Sequence, residues 1–93
     1  MRLRYTDKAI EDLNIAFDWY EKQKHGLGFE FVACIEKSIK NIIRFPDSYK
    51  ITHSNFHRCV IQRFPFSIFY SIENKVIVIH AIFDNRQDSI KMP

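Results

Sequence analysis

The chain has 93 residues, of which 46% are apolar and 15% aromatic, with nine Phe. That bulk excludes a disordered chain, and the length sets the expectation of one domain spanning residues 1–93. The net charge of +3 points weakly to an anionic partner. No apolar run nears the roughly 20 residues of a membrane span, so no membrane role is expected. A chain this short buries a limited share of its surface, so any chemistry should lie on an open face or in a shallow groove.

Residues 2–5 alternate as a short strand does. Thr6 is suited to cap a helix, with Asp7 favourable in its first turn. Ile10, Leu13, Phe17 and Tyr20 then recur at helical spacing to about Gln23, widened by Ala9, Ala16 and Trp19. Glu11, Asp12, Asp18, Glu21 and Lys22 fall on the wet side. The stretch His25 to Gly28 reads as a turn, its two glycines supplying conformations that other residues resist. It lacks the pattern and the preceding strand of a phosphate loop.

A second helix is predicted from about Leu27 to Arg44, with Val32, Ile35, Ile39 and Ile42 as its stripe and Phe31 and Ile43 beside it. Pro46 ends it, because the residue before proline disfavours helical backbone. So short a connection makes the helices an antiparallel hairpin.

The rest is strand-like. Residues 57–63 form one predicted strand. In 66–72, Phe66, Ile68, Tyr70 and Ile72 share one face, and Ser67, Phe69 and Ser71 the other. Glu73-Asn74 is the predicted hairpin turn. Lys75 to Phe83 is apolar on both faces, with Val76, Val78 and Ile82 on one and Ile77, Ile79, Ala81 and Phe83 on the other, which marks a central strand. The last ten residues read as irregular or a short helical turn. The fold class is α+β in the order β-α-α-β-β-β, a helical hairpin packed on a small, mainly antiparallel sheet.

Few residues are candidates for chemistry. From Ser48 to Ile72 there is no Asp or Glu, while Lys50, Arg58, Arg63, His53 and His57 are present. Arg58 and Arg63, five apart on one predicted strand, should project from opposite faces, and an exposed arginine there can grip a phosphate through two parallel hydrogen bonds. A surface salt bridge is the plainer role for each. His53 and His57 lack the following Glu of a helical zinc pair, so they read as loop or surface histidines and no metal or cofactor is expected. His80 shares a face with Val78 and Ile82; its default is a hydrogen-bonded, partly buried ring, with acid–base work as the sharper reading. Tyr70 reads as core. Asp84, Arg86 and Lys91 follow the last strand, where a rigid scaffold meets solvent.

Cys34 and Cys59 match no metal or redox motif, and Met1 to Tyr5 lacks the apolar core of a secretion signal. Both cysteines therefore read as small buried apolar groups in a reducing cytoplasm.

The order of landmarks resembles the RelE/ParE toxin superfamily, in particular its plasmid-stabilisation, ParE-like branch. The resemblance runs through Thr6-Asp-Lys-Ala-Ile-Glu-Asp-Leu13, Ala16-Phe-Asp-Trp-Tyr20, Gly26-Leu-Gly-Phe-Glu-Phe31, Ile39 to Pro46, Arg58, Arg63-Phe-Pro-Phe-Ser-Ile-Phe-Tyr70, Val76 to Phe83 and Arg86. Its most specific parts are the Gly-Leu-Gly-x-x-Phe turn and the Arg-Phe-Pro-aromatic block.

The resemblance implies the toxin of a type II toxin–antitoxin system, with a cognate antitoxin wrapping the hairpin groove and sheet edges. It implies two activities in growth inhibition. RelE-like members are ribosome-dependent, metal-independent mRNA endoribonucleases. ParE-like members inhibit DNA gyrase without a catalytic set. A third outcome is an inert relative that remains an interaction module. For the endoribonuclease, Arg58 and Arg63 would stabilise the transition state with Arg86 in support, and Asp84 or His80 would act as base or acid. Where many relatives carry a histidine and an arginine pair after the last strand, this chain has Asp84-Asn85-Arg86; where they often have Tyr, it has Phe66. The acid-free basic segment suits a nucleic-acid substrate and tips the expectation slightly toward the nuclease.

Overall fold

The computed structural model describes residues 1–52 and 54–93; His53 lies outside them. The elements are β1 (Arg2–Tyr5), α1 (Asp7–Gln23), α2 (Leu27–Arg44), β2 (His57–Val60), β3 (Phe66–Glu73) and β4 (Val76–Asp84), followed by a short 3-10 turn, Ser89–Lys91. The four strands make one sheet in the order β1-β4-β3-β2. β1 runs parallel to β4, and the other pairs are antiparallel. The α+β class and the element order agree with the sequence reading, as does the central place of β4.

The sheet carries two unlike faces. One packs Phe66, Ile68, Tyr70, Ile77, Ile79 and Ile82 against Ala9, Ala16, Tyr20, Phe31, Ile35, Ile39 and Ile42 of the helices. The opposite face holds a thin cluster of Phe69, Ala81 and Phe83, covered by Phe56 and Met92.

Thr6 begins α1 as its sequence suggests, its hydroxyl oxygen accepting from the Ala9 N–H at 3.1 Å. The same hydroxyl donates to the His80 carbonyl at 3.2 Å, and the Thr6 N–H donates to the Ile79 carbonyl at 3.0 Å. β1 ends at Tyr5, opposite Ile79, so beyond that point β4 has no strand on this side. Asp12 takes over: its carboxylate accepts from the Ile82 N–H at 3.1 Å and from Lys8 at 2.8 Å. Asp12 thus departs from the expected wet side, because the open strand edge supplies a donor that must be paired.

Glu21 departs for a related reason. Its carboxylate accepts from the backbone N–H groups of Gly26 and Gly28, each at 2.9 Å. It thereby caps an α2 N-terminus that has no side-chain cap of its own. These backbone bonds hold its pKa below the ordinary carboxylate value. Only Gly26 serves the turn, at φ +91°. Gly28 lies inside α2, where an added Cβ would sit 2.8 Å from the Phe17 carbonyl oxygen; the two helices approach closely here.

Three further expectations are corrected. Within α1, Ile10 and Trp19 are 46% and 50% exposed, not part of the buried stripe; the small Ala9 and Ala16 bring the helix close to the sheet and leave the flanking residues outside. The β3–β4 hairpin turns at Asn74-Lys75, one residue later than predicted, with φ of 50° and 63°. Positive values at both central residues match the twist of the flanking strands. Finally, Tyr70 pairs with Ile79 and Phe69 with Ala81, which leaves His80 as the extra residue of a β-bulge. The bulge shifts the alternation by one, so Ile77, Ile79 and Ile82 share the helix-side core while Ala81 and Phe83 face the other way.

Candidate functional site

β2 is shorter than predicted, which separates the two leading arginines. It ends at Val60, and Arg63 occupies the loop before β3 with φ of 71°. Ile61 and Phe64 both bury into the helix-side core. Residues three apart cannot share a face of a regular strand, so the chain must leave the ladder here. Arg63 therefore does not sit opposite Arg58 on a strand. Its guanidinium donates to the Glu30 carboxylate at 2.7 Å, and that bond raises its pKa.

Arg58 lies in mid-β2 on the face away from the helices, half-buried, opposite Phe69. Its Nε donates to Ser67 Oγ and its Nη2 to Asn85 Oδ1, both at 3.0 Å. The Ser67 hydroxyl donates to the same Asn85 oxygen at 2.8 Å. The guanidinium carbon stands 5.6 Å from the centre of the Phe69 ring, within cation–π range. Lys50, Thr52, Phe69 and Met92 join Arg58 around a shallow cleft of about 440 Å³. Its lining side chains include the two cations Lys50 and Arg58.

Asp84 and Arg86 form a separate pair at the end of β4. Arg86 grips the carboxylate through Nε at 2.9 Å and Nη2 at 2.8 Å. The hydrogen bonds from Arg86 lower the Asp84 pKa, and the bond to Asp84 raises that of Arg86. The pair borders a cleft of about 360 Å³ walled by Trp19, Tyr20, Phe66 and Ile82. Asp84 is thus not an unpaired base.

His80 stands apart from both. Its Nε2 lies 2.7 Å from Ser71 Oγ and 3.5 Å from a Glu73 carboxylate oxygen, and its ring rests 4.6 Å from that of Phe56. Ser71 also donates to Glu73 at 2.6 Å. Serine and carboxylate both meet the same ring nitrogen, so no relay runs through the imidazole of the kind a nucleophilic triad needs. The half-buried, hydrogen-bonded ring matches the default reading.

His57 corrects its surface assignment. It is buried, stacked on Tyr70 at 4.8 Å, with Nδ1 2.9 Å from the Tyr49 carbonyl. Tyr70 is core, as expected; burial pushes its phenol well above the usual range, and it donates to the Pro46 carbonyl. Cys59 is buried and Cys34 half-buried, both as free thiols.

The five candidates thus lie in four places on the scaffold. Among the described residues, the positive segment inferred from Ser48 to Ile72 narrows to Lys50 and Arg58, since Arg63 is paired and His57 is buried. Ser67, Asn85 and Glu30 were missed as partners. Asn85 was visible beside Asp84 and Arg86, and the alternation of β3 placed Ser67 away from Phe66; nothing in the sequence linked either to Arg58.

The family model described as the ParE toxin of the type II toxin–antitoxin system parDE matches residues 3–89. The chain belongs to the ParE toxin family. The ParE-family fold is matched among solved structures by a chain of the chromosomal ParDE toxin–antitoxin system from P. aeruginosa. The TM-score is 0.80 at 23% identity, over 90% of this chain and 95% of that one. At that identity the likeness speaks for the fold. No curated protein sequence matches. Among the described residues of this ParE-family chain, no helix is long and apolar enough to cross a membrane.

Proposed function

We propose that this chain is the toxin half of a ParDE-type pair, restrained by a cognate antitoxin, and that the free toxin acts by binding DNA gyrase rather than by cutting messenger RNA. The engagement of its candidate cations supports the binding reading. Arg58 is tied to Ser67 and Asn85, Arg63 to Glu30 and Arg86 to Asp84. Phosphodiester cleavage needs an acid, a base and a cation converging on one phosphate, and here His80 and Asp84 lie at different places from Arg58. An inhibitor that works by surface complementarity needs none of these.

The antitoxin site is the groove of about 500 Å³ between β1 and the helical hairpin, lined by Leu3, Ile10, Leu13, Val32 and Ile39 among others. It is apolar, open and bordered by the free edge of β1, which suits a helical or extended segment.

Purified protein added to gyrase should inhibit supercoiling in proportion to its amount, while primer extension on a reporter message in induced cells shows no new ends. Cuts within the translated frame would replace this reading with ribosome-dependent cleavage. One observation favours that second reading: Lys50 and Arg58 border one cleft, and two cations together suit a phosphate. Folded protein that neither arrests growth nor touches either target would be an inert relative.

A further inference from the structure

Helix α1 has two exposed apolar flanks, and the groove beside the hairpin uses only one of them. Ile10 and Leu13 border that groove. Ile15 and Trp19, one turn apart on the other flank, border the cleft at the end of β4 with Tyr20, Phe66 and Arg86. Ile15 is 61% exposed, beside the half-exposed Trp19. Arg86 is fixed over the Trp19 ring at 5.6 Å by its fork with Asp84, and Tyr20 meets Trp19 edge-on at 5.1 Å. An exposed Trp with rigid Tyr and Arg neighbours has the composition of an interface anchor, because little side-chain freedom remains to be lost on binding.

The charge around this flank selects the occupant. α1 holds five acidic residues and two lysines in a chain whose net charge is +3. Asp12 and Glu21 are consumed by the Ile82, Gly26 and Gly28 N–H groups, and Lys8 is paired with Asp12. Asp7, Glu11 and Asp18 remain exposed, and none of them is ion-paired among the described residues. At about 100° per residue they fall in one row next to Ile15; of the cations nearby, Lys8 is paired with Asp12, Arg86 with Asp84, and Lys22 lies in the last turn. A phosphate backbone, an anionic bilayer or an acidic peptide would meet repulsion along that row.

We propose that the Ile15–Trp19–Arg86 flank is a second docking surface, for a basic amphipathic segment of a protein partner. Apolar side chains of the segment seat on Ile15 and Trp19 and fill the cleft, and its lysines or arginines meet Asp7, Glu11 and Asp18. The surface is separate from the antitoxin groove, so the chain can hold both partners at once.

Trp19 is the sole tryptophan and reports directly. The probe is an 18-residue synthetic peptide with Leu at helical spacing and Lys elsewhere, titrated into the full chain at low salt. A saturable blue shift of Trp19 emission is expected, weakening at least tenfold in Ile15→Ser and in the double variant Glu11→Lys, Asp18→Lys. All three positions are exposed, and circular dichroism checks the fold. Phe45→Ser, at an exposed aromatic elsewhere, should bind as the parent does. A matching Leu/Glu peptide should leave the emission unchanged. The proposal is overturned by no shift with the Leu/Lys peptide, by equal response to the Leu/Glu peptide or to a DNA duplex, by weakening in Phe45→Ser as large as in Ile15→Ser, or by a shift on concentrating the protein alone, which would mark a self-association face. Gyrase inhibition is measured separately and does not enter this readout.

Discussion

Gly28 lies against Phe17 so closely that a methyl group on it would come within 2.8 Å of the Phe17 carbonyl oxygen and 2.9 Å of its ring. A glycine inside a helix ordinarily costs about 1 kcal/mol relative to alanine. Here alanine must push the helices apart, and overpacking of this kind costs about 1–3 kcal/mol. Gly28→Ala is therefore expected to destabilise the chain, read as a lower urea midpoint at unchanged slope. A higher midpoint would mean that the hairpin yields without cost.

Glu21 ties the two helices by charge. Its folded pKa is depressed, chiefly by the Gly26 backbone bond, so its stabilisation is present above the unfolded carboxylate value and is lost as pH falls through the folded one. Glu21→Gln should lower Tm at pH 7, and the gap from the parent should close on acidification below about pH 4. A gap that persists at low pH would assign the effect to shape, not charge.

Lys75 adopts φ of 63° in the β3–β4 turn, a conformation that suits glycine. Lys75→Gly should stabilise the chain by roughly 0.5–1 kcal/mol, once the greater freedom of glycine in the unfolded state is set against the relief of strain. The Asn-Gly turn thus created is the stronger hairpin former. Chemical denaturation checks the sign.

Ser67, fully buried, bridges Arg58 and Asn85. Ser67→Ala strips a hydrogen bond from each and should cost about 1–3 kcal/mol, with the guanidinium freed toward the Lys50 cleft. Arg58→Ala separates the two functional readings. Under gyrase binding, inhibition should follow the amount of folded protein. Under RNA cleavage, cutting should vanish at full folding.

The helices were legible because their signals are local: Thr6 as a cap, apolar residues three and four apart, Pro46 as a stop. β3 was legible for the same reason, its alternation being unbroken on the helix side. β4 was not, because one extra residue at His80 inverts the faces beyond it, and a bulge has no local signature when both faces are apolar. The candidate site shows a similar split. Residue chemistry singled out Arg58, Arg63, Asp84 and Arg86, but what each arginine does depends on its partner. Asp84 is two residues from Arg86, whereas Asn85 is 27 from Arg58 and Glu30 is 33 from Arg63. Distances of that kind belong to the fold.

The strand at the middle of the sheet is made after β1, both helices and the other two strands. β4 pairs with β1 through Arg2 and Val76, and Thr6 and Asp12 wait for His80 and Ile82. On a ribosome adding about 5–20 residues per second, the first strand is exposed for seconds without its neighbour. Until β3 and β4 are made, the helices have no sheet to rest on, and the cleft beside Trp19 lacks the wall that Phe66, Ile82, Asp84 and Arg86 supply. Anything that docks at that cleft must therefore wait for β4.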